Sequence, residues 1–385
     1  MIEESYKNIA ITVGQQLTKI KEISILENGD EIFNSILNSI KQAENYILFE
    51  TFIFWNGEIA KKISDALIEK SRKGVKCYLL FDGYGCKDLD KSLTEKMQKN
   101  GIKISYYNPF TLKGLFTGKS LNHRTHRKIL IIDGKTGYIG GVGIADQWLG
   151  NANSPSQWRD LHFKLEGAIL DQLQSAFFNN WLEYPEEHIK NDMLTLNDLD
   201  DNGIDGNVVL STPMSKYNSL RLQLLEAYQI AKKKIQIMTP YFIPDDQELK
   251  IISECAKRGV KVEVIVPGKH IDKKFVRYCS RYYWGRCLKA GVQIFEYEPT
   301  FNHSKLIIID EFWVTIGSLN FDARSLKLNE EANVHVFDKD FAKKMSTVFQ
   351  KDKTKSIRID LEKWLSRPLL IKALDFLAAR LRKYL

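Results

Sequence analysis

Two blocks of the chain repeat the same order of apolar strands and amphipathic helices. In each block, short apolar runs alternate with longer segments whose apolar residues recur at helical spacing. Strands that alternate with helices of this length predict βαβ units and an α/β fold. The predicted strands are 45–55, 75–83 and 102–108 in the first block, and 234–243, 260–268 and 291–298 in the second. The predicted helices are 59–71 and 89–99, followed by 248–257 and 271–289.

The segments outside these blocks complete the outline. Residues 1–40 predict two amphipathic helices, which we expect to pack against the first block. The Asn- and Asp-rich segment 188–206 is typical of a linker. At 385 residues the chain suits two domains. The expected division is a first domain 1–187, the linker 188–206, a second domain 207–350 and a tail 351–385.

Each block is followed by one copy of a short motif. The copies read THRKILIID at residues 125–133 and NHSKLIIID at residues 302–310. In both, His is followed by Lys two residues later and by Asp seven residues later, and the run after Lys is apolar, as a buried strand requires. Alternate residues of a strand share a face, so His and Lys project together. The motif residues are His126, Lys128 and Asp133, and then His303, Lys305 and Asp310.

The residue types of this motif point to phosphate chemistry. An imidazole can attack phosphorus or transfer a proton, and an ammonium group neutralises phosphate oxygens. A single His-x-Lys pattern is common on surface strands. Two copies with identical spacing, each followed by a Gly-led turn at 140–143 or 317–320, favour a shared site to which each domain contributes one copy.

The doubled motif resembles the signature of the phospholipase D superfamily, and the likeness covers nearly the whole chain. Within that superfamily the sequence is most similar to the bacterial cardiolipin synthases, especially the short type without N-terminal transmembrane helices. The resemblance implies two duplicated α/β domains with mixed sheets, packed as a pseudo-dimer around one site. The supporting segments are GGVGIADQW (140–148), WRDLHFKLEG (158–167), TPYFIPDDQ (239–247), and GSLNFDARS (317–325) followed by NEE.

The resemblance also implies a two-step displacement at phosphorus. One imidazole forms a phosphohistidine, while the other protonates the departing alcohol and later deprotonates the incoming one. We provisionally assign His126 as the nucleophile and His303 as the acid/base. Lys128 and Lys305 would neutralise the phosphate oxygens, so the mechanism requires no metal or cofactor. The supporting residues expected are Ser318 and Asn320 as hydrogen-bond donors to the phosphate, Asp160 and Glu331 as orienting acids, and Asp133 and Asp310 as motif residues that point away and act structurally.

The two halves differ in sequence around the motif. Gly143 stands where the second half has Asn320, which makes the second half better equipped to bind phosphate. His123 precedes the first motif, and we expect it at a loop or substrate rim. The remaining histidines lack a partner pattern and are expected to have no role: His162, His188, His270 and His335.

Composition and charge narrow the setting. Five cysteines form neither paired metal spacing nor an even disulfide set, which favours a reduced, cytoplasmic environment. The sequence has no apolar run of 18 residues and no signal-peptide pattern at its start. The net charge is +8, of which residues 351–385 supply +6, with ten basic and four acidic residues. A nucleic-acid binder usually spreads its positive charge over a whole face, so no nucleic-acid partner is expected.

Two segments are candidates for contact with an anionic membrane. The spacing of Gly101 and Gly291 differs from that of the motifs, which places about 13 extra residues within segment 108–124. Its aromatic and basic residues predict a lid or a membrane-facing loop, the alternative being a solvated connection. The tail predicts a basic amphipathic helix that begins at Pro368 and anchors the protein to the cytoplasmic face of the membrane, the alternative being a helix docked on the protein's own core. Its apolar side is Leu370, Ile371, Leu374, Leu377, Ala378 and Leu381, and its polar side is Lys372, Asp375, Arg382 and Lys383.

The function implied is a phosphatidyltransferase that makes cardiolipin. One phosphatidylglycerol would give its phosphatidyl group to the enzyme, glycerol would leave, and the hydroxyl of a second lipid would accept the group. The same residues could serve a phospholipase D that hydrolyses the intermediate with water. A nuclease is a second alternative, but it would need a basic groove across both domains. A non-catalytic membrane-binding protein is a third alternative, but such a protein would not need both motifs to be complete.

Overall fold

The computed structural model describes residues 2–109, 122–187, 189, 194–197, 202–212 and 218–380. The first half of the chain forms a seven-stranded mixed sheet with the order β2-β9-β8-β7-β3-β4-β5. Strands β3, β4 and β5 are parallel, and the remaining pairs are antiparallel. Its strands are β2 Glu22–Glu27, β3 Tyr46–Thr51, β4 Lys76–Asp82, β5 Lys103–Tyr107, β7 Ile129–Ile132, β8 Thr136–Gly140 and β9 Leu161–Glu166.

The second half repeats this arrangement in a second sheet. Its main path has the order β1-β10-β18-β16-β15-β11-β13-β14-β19, and the short β6 joins it by pairing with β18. Strands β18 to β14 along this path occupy the same places as β9 to β5 in the first sheet. The strands of this sheet are β1 Thr18–Ile20, β6 Arg124–Thr125, β10 Ile204–Ser211, β11 Lys234–Met238, β13 Lys261–Pro267, β14 Gln293–Tyr297, β15 Leu306–Ile309, β16 Trp313–Gly317, β18 Asn329–Phe337 and β19 Ser356–Arg358; β12 Phe242–Ile243 and β17 Phe321–Asp322 pair separately.

Helices cover both faces of each sheet and give the molecule three apolar clusters. One cluster joins the first sheet to its outer helices, and another does the same for the second sheet. The third lies between the sheets and contains residues of both, including Ile131 and Ile308, together with residues of two inner helices, α5 and α10. The expected α/β class with two mixed sheets is confirmed. The helices are α1 Ile2–Thr12, α2 Asn28–Gln42, α3 Glu58–Arg72, α4 Lys91–Lys99, α5 Ile169–Trp181, α6 Ser219–Ile230, α7 Asp246–Lys257, α8 Lys274–Lys289, α9 Ala323–Lys327, α10 Lys339–Thr354, α11 Leu361–Leu365 and α12 Leu369–Arg380.

The N-terminal segment corrects one expectation. Two helices are present, with β1 and β2 between them, and α2 packs against the first half as expected, whereas α1 packs against the second. Tyr6 of α1 makes an edge contact with Trp313, and its hydroxyl donates a hydrogen bond to Asp310. The ammonium group of Lys7 lies 2.6 Å from the carboxylate of Asp205. The start of the chain therefore holds the two halves together.

The tail begins inside the second half and ends as a separate helix. Helix α10 continues past residue 350, and β19 pairs with the edge strand β14. Helix α12 begins directly after Pro368, as predicted, and packs along α8. None of the described helices is both long enough and apolar enough to cross a membrane. The predicted domain boundaries stay a prediction.

Candidate active site

The two motif histidines line one cleft of about 720 Å³. Each stands just before a central strand of its own sheet, β7 or β15, and its backbone is fixed by the other half. The backbone N–H of His126 donates to the carbonyl oxygen of Glu330 at 2.8 Å. The N–H of His303 donates to the carbonyl oxygen of Arg159 at 2.7 Å. These two crossed contacts bring both motifs to the same cleft.

The imidazole of His126 is held by a carboxylate from the second half. Its Nδ1 lies 3.0 Å from both oxygens of Glu331, on strand β18. Ser318 donates a hydrogen bond of 2.5 Å to the same carboxylate, so Glu331 is fixed as well. The ring of Phe52 meets the imidazole edge-on, with 5.1 Å between the ring centroids.

The imidazole of His303, in the second half, is held by a carboxylate from the first half. Its Nδ1 lies 2.8 Å from Asp160, whose carboxylate also accepts a hydrogen bond of 2.9 Å from the indole of Trp148. Gly141, the counterpart of Ser318, leaves room for this carboxylate: a Cβ atom there would lie 2.3 Å from an oxygen of Asp160. Aromatic rings enclose the imidazole at centroid distances of 5.4 to 5.6 Å, from Trp148, Trp158 and Phe301.

The two carboxylates fix the tautomers that the chemistry needs. When Nδ1 carries the hydrogen and donates it to a carboxylate, the lone pair of Nε2 is free to face the cleft. Burial lowers the pKa of His126 to about 4, against the opposing charge of Glu331. Burial and the neighbouring Lys305 lower the pKa of His303 to about 3. Both rings are therefore neutral at pH 7 before substrate binds, which suits a nucleophile or a base.

The motif lysines add positive charge beside each ring. Lys128 donates to the backbone carbonyl of its own histidine at 2.7 Å. Lys305 makes the equivalent bond at 2.5 Å, and its Nζ also lies 3.2 Å from Nε2 of His303. Burial lowers the pKa of Lys128 to about 7 and that of Lys305 to about 8, although the site's acids oppose this shift. A bound phosphate would favour the charged form of both lysines.

Both orienting carboxylates stay ionised in this environment. Burial by itself would raise the pKa of Glu331, but His126, Lys128 and a hydrogen bond lower it overall. The pKa of Asp160 is likewise lowered, because Lys305 and His303 outweigh its burial. The site thus places two carboxylate anions beside the motif lysines and leaves both imidazoles uncharged.

The two residues predicted to donate hydrogen bonds to the phosphate, Asn320 and Ser318, lie in different places. Asn320 lines the cleft and is 5% exposed, so it is available to a ligand. Ser318 is fully buried and donates to Glu331, and its contact with the phosphate stays a prediction.

The motif aspartates lie away from the cleft, as expected for a structural role. Asp133 accepts hydrogen bonds from three successive backbone amides, 44 to 46, at 2.7 to 2.8 Å. Asp310 accepts three from amides 232 to 234, at 2.7 to 2.9 Å, and one from Tyr6. Each aspartate has a left-handed backbone, with φ of 55° and 51°. They join the end of each motif strand, β7 or β15, to the start of its antiparallel neighbour, β3 or β11.

Several cleft residues were missed by the sequence analysis. Phe52 and Trp55 come from the end of the first strand block, and Tyr241 from the equivalent end in the second. In the sequence, these residues are distinguished only as aromatic residues at the end of a strand. Residues of the hydrophobic core have the same pattern, so the sequence does not identify them as cleft residues. Arg127, between the motif His and Lys, forms a buried ion pair with Glu330 and so joins the halves beneath the site.

The other histidines and the long loop lie elsewhere. His162 and His335 are buried, and burial lowers their pKa values to about 4 and about 3. His123 is partly exposed and its carbonyl accepts a hydrogen bond from Asn108. His188 and most of the predicted loop 108–124 lie outside the described residues. Within the described part of the chain, no cluster of three acidic, His or Cys side chains is arranged to hold a metal.

The comparisons with known proteins agree with this architecture. Residues 36–160 and 224–353 match the family described as "Cardiolipin synthase, PLD-like domain". The chain is 33% identical over 361 residues to the major cardiolipin synthase ClsA of Bacillus subtilis, covering 92% of this chain and 73% of that protein. It is 35% identical over 354 residues to cardiolipin synthase 2 of Bacillus anthracis, covering 90% and 68%. Its fold is similar to the crystal structure of phosphatidylserine synthase from Haemophilus influenzae Rd KW20, with a TM-score of 0.75, 15% identity and 98% of each chain covered.

Proposed function

The chain belongs to the cardiolipin synthase family of phospholipase D-like proteins, and on this premise we propose that it transfers a phosphatidyl group from one phosphatidylglycerol to another and releases glycerol. One observation carries the proposal: two neutral imidazoles, each oriented by a carboxylate of the opposite half, line a single cleft. That arrangement suits a diester whose phosphorus atom is attacked from one side and loses an alcohol on the other.

The first step forms a covalent intermediate. Nε2 of His126 attacks phosphorus, the P–N bond forms, and the bond from phosphorus to the glycerol oxygen breaks. His303 delivers a proton to that oxygen. Both lysines donate to the backbone carbonyl of their own histidine, and Lys305 also lies 3.0 Å from Nδ1 and 3.2 Å from Nε2 of His303. This contact with the ring favours His303 as the acid, because Lys305 can supply the proton.

The second step regenerates the enzyme. His303 takes the proton from the hydroxyl of the second phosphatidylglycerol and returns it to Lys305, while the oxygen of that hydroxyl attacks phosphorus and the P–N bond breaks. Water in the same place would give phosphatidic acid, the product of a phospholipase D. The apolar rings around His303, those of Trp148, Trp158 and Phe301, disfavour bound water and therefore support transfer.

Helix α12 supplies a surface for the lipid bilayer, with the cytoplasmic face of the membrane as its proposed location. Its leucines point outward: Leu369, Leu370 and Leu377 are 81%, 73% and 61% exposed. Among the described residues of its predicted polar side, Asp375 faces the protein instead. Asp375 is buried, with its carboxylate 2.6 Å from the guanidinium of Arg367. An exposed apolar stripe fixed by a buried ion pair is the arrangement that a membrane-surface helix requires.

This apolar stripe lies near the cleft because both border α8. The residues at the start of α8, Lys273 and Val276, line the cleft. Phe275, beside Val276, and Tyr282, two turns further along, are 40% and 43% exposed, and Tyr282 contacts Phe376 of α12. A phospholipid can then keep its acyl chains in the bilayer while its phosphate reaches the histidines.

Product analysis tests the catalytic proposal. Purified protein is incubated with vesicles of phosphatidylglycerol, and cardiolipin, phosphatidic acid and glycerol are measured by mass spectrometry. We expect cardiolipin and glycerol in equal amounts, both lost in the His303→Ala variant. Phosphatidic acid as the only lipid product would establish the phospholipase alternative. Cleavage of single-stranded DNA that depends on His303 would instead support a nuclease.

Vesicle sedimentation tests the membrane surface. Burying one leucine contributes about 1.5–3 kcal/mol, so the Leu370→Asn and Leu377→Asn double variant should bind phosphatidylglycerol vesicles at least tenfold more weakly. The matched control is Leu182→Asn with Leu196→Asn, two leucines that are 61% and 76% exposed outside the tail. Equal losses in both double variants would refute a specific role for α12.

A further inference from the structure

One wall of the cleft carries buried polar atoms without partners. Oδ1 of Asn320, Oγ of Ser325 and Oδ1 of Asn329 have no hydrogen-bond partner among the described residues. All three residues line the cleft and are 1–6% exposed. A buried acceptor left without a donor costs about 1–3 kcal/mol, so three of them on one wall indicate a ligand that supplies hydrogen bonds.

This polar wall is specific to the second half. At the motif offset of 177 residues, the first half has Gly143 in place of Asn320 and Trp148 in place of Ser325. His162 and Asn333 occupy equivalent positions, because they pair with the equivalent glycines Gly140 and Gly317. Four residues earlier, the first half has Trp158 where the second half has Asn329. One side of the cleft is therefore aromatic and the other is built from amides and a hydroxyl.

A guanidinium group stands beside these atoms. Arg324 precedes Ser325 and lines the same cleft, where it also donates to the carbonyl oxygen of Asn122 at 3.0 Å. The motif lysines already serve the phosphate that reacts. Transfer between two phosphatidylglycerols brings a second phosphate into the cleft, and a guanidinium group suits it.

From this arrangement, and resting on the proposed function, we propose that Ser325 and Asn329 bind the glycerol headgroup of the acceptor lipid and that Arg324 binds the acceptor's own phosphate. The headgroup hydroxyl that does not react donates to these two side chains. The other hydroxyl loses its proton to the acid/base histidine, and its oxygen forms the new P–O bond as the P–N bond of the phosphohistidine breaks. The glycerol that leaves in the first step occupies the same subsite, since the two steps are the reverse of each other.

The subsite selects a polyol over an amine. A hydroxyl group both donates and accepts, which matches amide and hydroxyl side chains. An ammonium headgroup would lie beside Arg324, in a cleft whose described lining has five basic residues against three acidic ones. The acceptor class is therefore a phospholipid with a free glycerol headgroup rather than one with an ethanolamine headgroup.

Partition of the covalent intermediate tests this subsite. Phosphatidyl-p-nitrophenol is used as the donor, because its leaving group needs no glycerol subsite and nitrophenolate release reports the first step alone. Glycerol, 1-propanol or ethanolamine is added at equal concentration, and the phosphatidyl products are quantified. The wild type should prefer glycerol to both other acceptors. Ser325→Ala should lower the ratio of glycerol to 1-propanol product about fivefold, the value of a lost hydrogen bond, with nitrophenolate release retained.

Matched variants isolate the effect. Ser64 and Asn207 are fully buried and carry unpartnered side-chain atoms, as Ser325 and Asn329 do, but neither lines the cleft. Ser64→Ala and Asn207→Leu should keep the wild-type preference, whereas Ser325→Ala and Asn329→Leu should lose it. Arg324→Gln should lower capture of sn-glycerol 1-phosphate about tenfold more than capture of glycerol.

The outcomes separate this inference from the function beneath it. If the wild type releases no nitrophenolate and makes no cardiolipin, the proposed function fails. If it does both, but Ser325→Ala keeps the preference for glycerol or the wild type prefers ethanolamine, only the subsite is overturned. Should Asn329→Leu fail to fold, Ser325→Ala and Arg324→Gln still decide the matter.

Discussion

The two histidines of this site have the same kind of partner but different surroundings. His126 is held by a glutamate that a serine supports, and one phenylalanine ring lies beside it. His303 is held by an aspartate that an indole supports, and three aromatic rings surround it. Duplication thus preserved the strands and the carboxylate–imidazole pairs, while the side chains around each ring changed.

The difference separates what the chemistry demands from what the substrate demands. Orientation of two imidazoles is required on both sides, and both sides have it. The polar side chains on one wall of the cleft and the aromatic rings on the other would each contact a different part of the lipid. Each set therefore occurs on one wall only. Four variant experiments, ordered by the size of the expected effect, test whether the two halves of the site have these different roles.

Loss of either imidazole should have the largest effect on turnover of phosphatidylglycerol. General acid–base catalysis contributes about 10²–10⁴-fold, and loss of the nucleophile at least as much. With phosphatidyl-p-nitrophenol, however, His303→Ala should still release one equivalent of nitrophenolate, because this leaving group needs no acid. His126→Ala should release none in a stopped-flow experiment.

The opposite pattern would exchange the two roles. His270→Ala serves as the control, because His270 is outside the cleft lining and only half-buried. Its turnover should match that of the wild type.

Removal of the orienting charge should have the next largest effect. Glu331→Gln and Asp160→Asn keep the shape of each side chain but remove the anion that selects the tautomer, and we expect kcat to fall about 10²-fold in each. Ser318→Ala, which removes the hydrogen bond to Glu331 and also the acceptor of the Ala332 N–H, should cost about fivefold. These residues position the rings, so KM should stay within about twofold of wild type. A change confined to KM would contradict the assignment.

The pH dependence distinguishes the two lysines. The pKa values are lowered to about 7 for Lys128 and about 8 for Lys305, so raising the pH removes positive charge from the empty site. We expect kcat/KM to fall about tenfold per pH unit above the lower value, since this parameter reports the free enzyme. Lys128→Arg should move the fall upward by about one pH unit, because a guanidinium group stays charged.

Lys305→Arg provides the matched comparison for this pH profile. In this variant the first decrease in kcat/KM should remain near pH 7, because Lys128 still loses its proton there. Identical profiles in the wild type and both variants would mean that neither lysine controls the decline.

The motif aspartates should change stability rather than catalysis. Asp133→Asn and Asp310→Asn each weaken three charge-assisted hydrogen bonds to backbone amides, and we expect a loss of about 2–4 kcal/mol in unfolding free energy. Asp310→Asn should be the more severe, because Tyr6 also loses its acceptor. Chemical denaturation measures both, and kcat per folded molecule should remain unchanged. A large fall in kcat would place these aspartates in the mechanism.

Most of the fold could be predicted because its two blocks carry a strong local signal. Every predicted strand and helix of the blocks is present within a few residues. The strands β1 and β2 were missed because they are short, half-exposed edge strands. Their partners lie far along the chain: Ile20 pairs with Ile204, and Glu27 pairs with Leu161. No local pattern reports such a pairing.

The site shows the same limit. The likeness to cardiolipin synthases is confirmed, and the sequence named the two histidines that line the cleft, but spacing along the chain does not reveal which carboxylate pairs with which imidazole. The periodicity of α12 likewise defines an apolar side without saying which side faces the protein. Asp375 decides that orientation, because it pairs with Arg367 and lies close to Arg281, residues that precede it by 8 and 94 positions.

The exchange of carboxylates between the halves has a consequence during translation. Once β9 has left the ribosome, the whole first sheet can form, yet Glu331 lies 205 positions after His126 in the chain and has still to emerge. A nascent chain therefore carries an imidazole without its tautomer-fixing anion and without an opposing ring. Scission of membrane lipids has to wait until nearly all of the protein has emerged and docked upon itself.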